Sequence, residues 1–354
     1  MKSLKSLTAA IIGLGNIAPM HAKSLTEIGV KITAVCDKNK SIAESFALGL
    51  PSCAAFDDYN EMLEKADFDV LHICLPHFLH APVAIAALKK GVHVLTEKPM
   101  ATTVEDAEDM ISAARESKKT LGVIFQNRYS PGAALIKSAL ESGELGTVKG
   151  GWIRVTWNRP ESYYAISDWK GKWATEGGGA LINQSIHCFD LMNFFLGEPT
   201  AIDASIANRA HPSIEVEDVA EGVVTYGTAP ISFFVNTYHL YDAPAALELI
   251  CENGYATLTG EEATITMNNG QQKTSAIDTE AQKRFRMKSY WGVSHIKQIE
   301  DFYKSLATGE PVKIDGTEAL RTQRLVNGIY ESAKTGRVVN RFPKTIDNSL
   351  EFCL

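Results

Sequence analysis

Ala9-Ala10-Ile11-Ile12-Gly13-Leu14-Gly15-Asn16-Ile17-Ala18 decides the fold. Four apolar residues form a buried strand, and G-x-G-x-x-A turns that strand into a helix. Glycines at 13 and 15 let the backbone approach a pyrophosphate. The helix N-terminus behind them offers N–H donors and a partial positive charge. Gly13, Gly15, Asn16 and Ile17 are therefore candidate dinucleotide contacts. Some 22 residues after Gly15, Asp37 ends the next apolar run, residues 31–36. An acid there can accept both hydroxyls of an adenosine ribose and repels a 2′-phosphate, which favours NAD over NADP. Lys38 beside it can receive that phosphate, so NADP stays open. Asp37 also reads as a plain turn residue after a strand.

A second motif, Glu97-Lys98-Pro99, stands at the end of another apolar run, Val92-His93-Val94-Leu95. In an open parallel sheet that end faces the ligand. An ammonium held beside a cationic nicotinamide has its pKa lowered toward the range of an acid–base group. Between the motifs, Leu75-Pro76-His77-Phe78-Leu79-His80 closes a further strand. Leu75, Pro76, His77 and His80 are cofactor candidates by that position, although His80 equally suits packing under the loop.

Further apolar runs at 70–75 and 120–125 alternate with helical stretches at 41–49, 80–90 and 104–117. This alternation predicts a doubly wound parallel sheet covered on both faces. Past residue 128 the texture changes to longer strands at 148–157, 218–225, 231–240 and 246–251. Turn signals separate them, Asn253-Gly254 most clearly. The expected architecture is an α/β Rossmann domain over 1–127 and an α+β domain over 128–354 with a large, mostly antiparallel open sheet. A last helix over about 316–332 is expected to close the second domain or pack back on the first.

The chain has 354 residues and a net charge of −7, with 45% hydrophobic and 22% charged residues. That acidic balance and the absence of a basic run exclude nucleic acid as the main partner. Six dispersed cysteines (Cys36, Cys53, Cys74, Cys188, Cys251, Cys353) form no C-x-x-C pair. They read as reduced thiols of a cytoplasmic protein, with no metal site. Residues 1–7 run straight into the first strand without an apolar leader, and no run of about 18 apolar residues suggests a membrane span.

A second chemical constellation follows Gly177-Gly178-Gly179. A helix over 180–196 puts Asn183, His187 and Asp190 on one face at i, i+4 and i+7. The three glycines leave its N-terminus unshielded for a ligand. His187 titrates in the neutral range and is a candidate acid–base group; a satisfied core histidine is the alternative. Trp157, Tyr163, Tyr164, Trp169 and Trp173 cluster upstream. Such rings wall sugar-sized pockets, or form core. Tyr163 and Tyr164 lie in a polar stretch and are read as pocket residues. Gln126 and Arg128 mark the domain junction, where Arg128 can meet a ligand or a structural carbonyl.

The combined pattern resembles the glucose–fructose oxidoreductase/inositol dehydrogenase/rhizopine-catabolism (Gfo/Idh/MocA) family along nearly the whole chain. The pieces are Gly13–Ala18 with His21, Asp37, Glu97-Lys98-Pro99, and Gly177–Gly179 leading to His187 and Asp190. The resemblance implies NAD(P)-dependent oxidation or reduction of a secondary hydroxyl on a sugar or cyclitol. It makes Lys98 the catalytic lysine and His187 the histidine near the reacting hydroxyl; Asn183 is expected to fix His187 or a second hydroxyl. Trp169-Lys170 looks like the family's Trp-Arg pair that reaches the cofactor. Many members carry aspartate where this chain has Asn183. An amide supplies no charge to His187, which shifts proton transfer toward Lys98. Substrate contacts are then expected from Lys98, Arg128, Tyr163, Tyr164, Asn183 and His187, and a homodimer or homotetramer from the open sheet. Two other classes fit the motifs: a lyase or glycosidase that recycles bound NAD internally, and a dinucleotide sensor without turnover.

Overall fold

The computed structural model describes residues 4–276 and 294–340; Cys353 and residues 1–3 of the amino-terminal segment lie outside them. The first sheet is built from β1 (Thr8–Ile12), β2 (Lys31–Cys36), β3 (Ala54–Phe56), β4 (Val70–Ile73), β5 (His93–Thr96) and β6 (Leu121–Val123). Their order is β3-β2-β1-β4-β5-β6, all parallel. That order is the doubly wound dinucleotide-binding arrangement, whose ligand crevice opens at the carboxyl ends where β1 and β4 diverge. Asp37, Leu75 and Lys98 all follow directly on strand ends at that edge. Strand β3 and the helix Tyr59–Lys65 were not foreseen, because three residues of alanine and phenylalanine carry no periodicity.

The second sheet comprises β7 (Val148–Thr156), β8 (Ala201–Ala207), β9 (Val219–Tyr226), β10 (Ala229–Asn236), β11 (Ala246–Cys251), β12 (Gly254–Thr259), β13 (Glu262–Met267) and β14 (Gln272–Thr274). Its order is β14-β13-β12-β11-β7-β10-β9-β8. All pairs are antiparallel except β7 with β10. One face buries Ile153, Val155, Phe233, Val235, Leu247 and Leu249 under the helix Ile186–Leu196 and its neighbours. On the other face Val223, Phe234, Ile250 and Tyr255 stand 36–48% exposed.

Two late helices tie the units together. Gly316–Thr335 packs on both β8 and the helix Val104–Ser117. Ser294–Thr308 sends Ile299, Phe302 and Tyr303 into the core of the first sheet. Among the described residues no helix is long and apolar enough to cross a membrane.

The expected helix over 180–196 is two structures. Ala180–Ser185 is a π-helical turn, and the α-helix begins at Ile186. The π turn is fixed from outside. Glu217, at the head of β9, accepts the N–H groups of Gly179 and Leu181 at 2.9 Å each and the Tyr330 hydroxyl at 2.9 Å. Burial pushes the Glu217 carboxyl up to about 7. The glycines serve this packing rather than a ligand: a Cβ on Gly177 would meet Thr102, and one on Gly179 the Glu217 carbonyl. At Gly178, with φ +149°, it would lie 1.9 Å from the Tyr330 hydroxyl. Gly178→Ala is therefore expected to cost roughly 2–4 kcal/mol from backbone strain plus overpacking, read from urea unfolding.

Candidate active site

Gly13 and Gly15 serve different needs. A Cβ at Gly13, where φ is +82°, would lie 2.6 Å from the Cys74 carbonyl, whereas one at Gly15 would meet nothing within 4 Å. The first glycine lets β1 pass β4, and the second leaves open space above the loop. The helix Ala18–Glu27 that follows has no side-chain cap. Pro19 has no N–H and the Met20 and His21 N–H groups bond the Ile17 carbonyl, so the donors open to an anion belong to the loop just ahead of the helix. Asp37 is drawn to the same loop: its Oδ2 accepts the Leu14 N–H at 3.0 Å, and its Oδ1 accepts that of Asn39 at 2.9 Å. Lys38 is exposed beside it. The open cradle, uncapped helix and strand-end acid together fit a dinucleotide.

Below this loop lies a cavity of about 290 Å³, near the small end of the ~300–1,000 Å³ typical of small-molecule sites. Asn16 enters it from the glycine loop, Lys98 from the end of β5, and Gln126 from the domain junction. Asn183, Gln184 and His187 come from the π turn and its helix. Trp157, Arg159, Tyr163, Lys170 and Asp242 wall the far side. Three buried polar atoms of lining residues have no partner: Gln126 Oε1, Gln184 Oε1 and His187 Nδ1. Buried polar groups are satisfied almost everywhere in proteins, so three around one cavity are groups that water or a ligand can complete.

Lys98 meets Asn183 in this lining. Its Nζ donates to the Asn183 carbonyl at 2.7 Å and to Asn183 Oδ1 at 3.1 Å. Burial lowers its pKa to about 8, against the opposing pull of Glu97 and Glu176; Lys170 and Arg159 push the same way as burial. Glu97 itself faces inward. Its Oε1 accepts from His21 Nε2 at 2.9 Å and its Oε2 from the Lys98 N–H at 3.2 Å, which anchors the loop. His187 is the opposite case to Lys98. Burial first, and then the Lys98 charge, lower its pKa to about 3. It is a neutral imidazole throughout the ordinary pH range.

The remaining sequence candidates separate cleanly. Tyr163 lines the cavity, its hydroxyl accepting from Gln184 Nε2 at 3.3 Å, and the Lys170 ammonium sits 3.7 Å from its ring centre. Tyr164 does not line it. It is buried against Ile214 and Val216 with its hydroxyl 3.2 Å from Thr237 Oγ1. Trp169 stacks obliquely on His77 at 4.8 Å. His77 Nδ1 donates to the Glu176 carbonyl at 2.7 Å. Both His80 nitrogens lie on protein carbonyls, those of Pro99 and Leu75, at 2.7 and 2.8 Å. Neither is left for a ligand. Arg128 is likewise engaged: it holds Asp190 through two bonds of 2.7 Å and Glu318 at 2.8 Å, wholly inside the protein. Asp190 is thereby turned from the face of Asn183 and His187.

Arg159, Asp242, Gln184 and Glu176 were among the residues that escaped sequence reading. Gln184 is a lining group with an unpartnered oxygen. Glu176, completely buried, accepts Asn183 Nδ2 at 2.6 Å. Its only sequence signal was a carboxylate abutting three glycines, seven residues before Asn183.

Profile comparison matches residues 7–125 to the oxidoreductase family model with an NAD-binding Rossmann fold, GFO_IDH_MocA. Residues 133–257 match the family's C-terminal domain. The chain belongs to the Gfo/Idh/MocA family. It is an NAD-binding oxidoreductase of that family. It is 27% identical to the D-glucoside 3-dehydrogenase of Escherichia coli K12, over 93% of this chain and 96% of the other. It is 24% identical to the inositol 2-dehydrogenase of Salmonella paratyphi B, over 86% and 88%. Among solved structures, the WlbA dehydrogenase of Bordetella pertussis, in complex with NADH and UDP-GlcNAcA, superposes with a TM-score of 0.84. That pair shares 26% identity and covers 95% and 98% of the two chains.

Proposed function

We propose that this Gfo/Idh/MocA protein is an NAD-dependent dehydrogenase acting on a secondary hydroxyl of a sugar, sugar derivative or cyclitol. The observation that carries this reading is the convergence of Lys98, Asn183, Gln184, Gln126 and His187 on one cavity directly below the glycine loop. The dehydrogenases it resembles act on such compounds. Bound nicotinamide supplies the hydride acceptor. The protein manages the proton. Neutral Lys98 accepts it from the substrate hydroxyl during oxidation, and the ammonium returns it during reduction. His187, being uncharged, orients the hydroxyl through a hydrogen bond rather than carrying the proton. The amide oxygens of Gln126 and Gln184 accept from neighbouring hydroxyls, and Trp157 and Tyr163 offer flat faces to C–H groups. Asp37 selects NAD over NADP by charge.

The pH dependence follows from Lys98. Oxidation needs the neutral amine, so kcat/KM for the alcohol is expected to rise with pH and level off above about 8. Ketone reduction needs the ammonium and falls over the same interval. A profile flat across that interval, measured by initial rates in both directions, removes Lys98 from proton transfer.

We place the domain junction at 127/128. Five free cysteines among the described residues support a reducing, cytoplasmic setting. The apolar residues Val223, Phe234, Ile250 and Tyr255 on the open sheet face support a homodimer or homotetramer.

The test of the activity is NADH formation with NAD and a panel of sugars, sugar acids, cyclitols and nucleotide sugars. NADH from one compound class supports the reading. Silence across the panel, with NAD binding clear by calorimetry, contradicts net dehydrogenation and favours internal cofactor recycling or sensing.

A further inference from the structure

Asn183 places an uncharged group against the Lys98 ammonium, yet a carboxyl group stands directly behind it; burial pushes that carboxyl's pKa up, and the bonds from Gly171 and Asn183 with the Lys170 and Lys98 charges favour its ionised form. Glu176 is completely buried. Its side chain takes one bond from the Gly171 N–H and one from Asn183 Nδ2, the latter at 2.6 Å. Asn183 Oδ1 in turn accepts from Lys98 Nζ at 3.1 Å. The chemistry of the two ends fixes the amide between them. An ionised carboxylate only accepts and an ammonium only donates, so the NH₂ must face Glu176 and the oxygen must face Lys98. A flipped Asn183 would set oxygen against oxygen and NH₂ against ammonium. The amide dipole therefore lies head to tail with the carboxylate, and each bond polarises the next.

We propose that Glu176 is a positioning residue of the reaction, which acts through the Asn183 amide to orient the Lys98 amine and to supply the negative charge that Asn183 lacks. Helix capping does not account for it: the side chain reaches back to Gly171 and across to Asn183, while Glu217 bonds the N–H groups of the π turn. Around Lys98 the charged and titratable groups are Glu97, Glu176, Lys170, Arg159, His77, His80 and His187. Glu97 faces His21 and His295. Glu176 is thus the carboxylate linked to the amine by side-chain hydrogen bonds on the cavity side.

The inference rests on Lys98 being the proton carrier, so its test is chosen to need no substrate. Competitive labelling of the apo protein with fluorodinitrobenzene, read by mass spectrometry at Lys98, reports the pH at which that amine becomes nucleophilic. Glu176→Gln removes the charge and presents an NH₂ to Asn183. The labelling midpoint is expected to move to lower pH by about one pH unit, and Glu176→Asp to leave it nearer the parent value. Asn183→Ala should produce a similar movement, and Glu176→Gln should add little in the Asn183→Ala background, since both cut one path. A folded Glu176→Gln protein with an unmoved midpoint overturns the proposal. Equal, additive shifts from the two substitutions overturn it as well, because they would mean that Glu176 acts without Asn183. Should Glu176→Gln fail to fold, Asn183→Ala carries the test alone, and an unmoved midpoint there has the same consequence. Failure of the dehydrogenase reading would appear separately, as an absence of turnover with the midpoint shifts intact.

Discussion

Replacing Lys98 by methionine is expected to lower turnover by more than about 10²-fold, the scale of a lost acid–base group, while NAD binding survives. Methionine keeps the length and most of the apolar stem and removes the ammonium. Its two hydrogen bonds to Asn183 go with it. The glycine loop, the uncapped helix and Asp37 are untouched, so dinucleotide affinity by calorimetry should stay close to that of the parent protein. Neither His187 nor Lys170 is set to take over. His187 is held at a pKa of about 3, and Lys170 lies over the Tyr163 ring. Turnover within a few-fold of the parent would show that the proton leaves by another route.

The second large effect concerns stability. Arg128→Met is expected to destabilise the protein by ~3–5 kcal/mol, because it strands a buried carboxylate. Asp190 is fully buried and takes both of its strongest bonds from Arg128, with Thr322 Oγ1 adding one at 2.9 Å. Without the guanidinium, only the Thr322 bond opposes the upward push of burial on the Asp190 carboxyl, which must take up a proton or find water. Glu318 loses one partner on the same change and keeps Arg321. Adding Asp190→Leu should recover much of the loss, since a well-packed apolar pair is often as good as a buried ion pair. Chemical denaturation of the single and double variants measures both. A single variant as stable as the parent would mean that the network contributes nothing.

Arg128 also marks the limit of sequence reading. Its position at the domain junction was visible, but whether a junction arginine meets a ligand or an acid depends on where Asp190 and Glu318 arrive, and they come from residues 62 and 190 positions away. Local patterns were sufficient for five of the six parallel strands, each a buried apolar run followed by a turn; the short, half-exposed β3 was not among them. The same holds for Lys98 and Asp37, which are placed by strand ends. The π turn at Ala180–Ser185 was not legible. Its register is set by Glu217 from β9 and by Lys98 on the Asn183 carbonyl, and neither is written in residues 180–196. This is why Asn183 and His187 share the cavity while Asp190, on the same expected stripe, does not. The helix Ser294–Thr308 was missed for a different reason. Its apolar positions 299, 302, 303 and 306 have helical spacing but sit in a polar, charged background. Tyr164 and His80 were read from neighbourhood alone, and their neighbours satisfy them.

The central claim is that hydride passes from a substrate carbon to the cofactor in this cavity. The most direct measurement is mass spectrometry of NADH released after incubation of the protein with NAD and carbon-deuterated members of the substrate panel. The expected result is NADH carrying one deuterium, lost from the Lys98→Met protein. Product formed with all of its deuterium retained, and no labelled NADH in solution, would contradict net dehydrogenation.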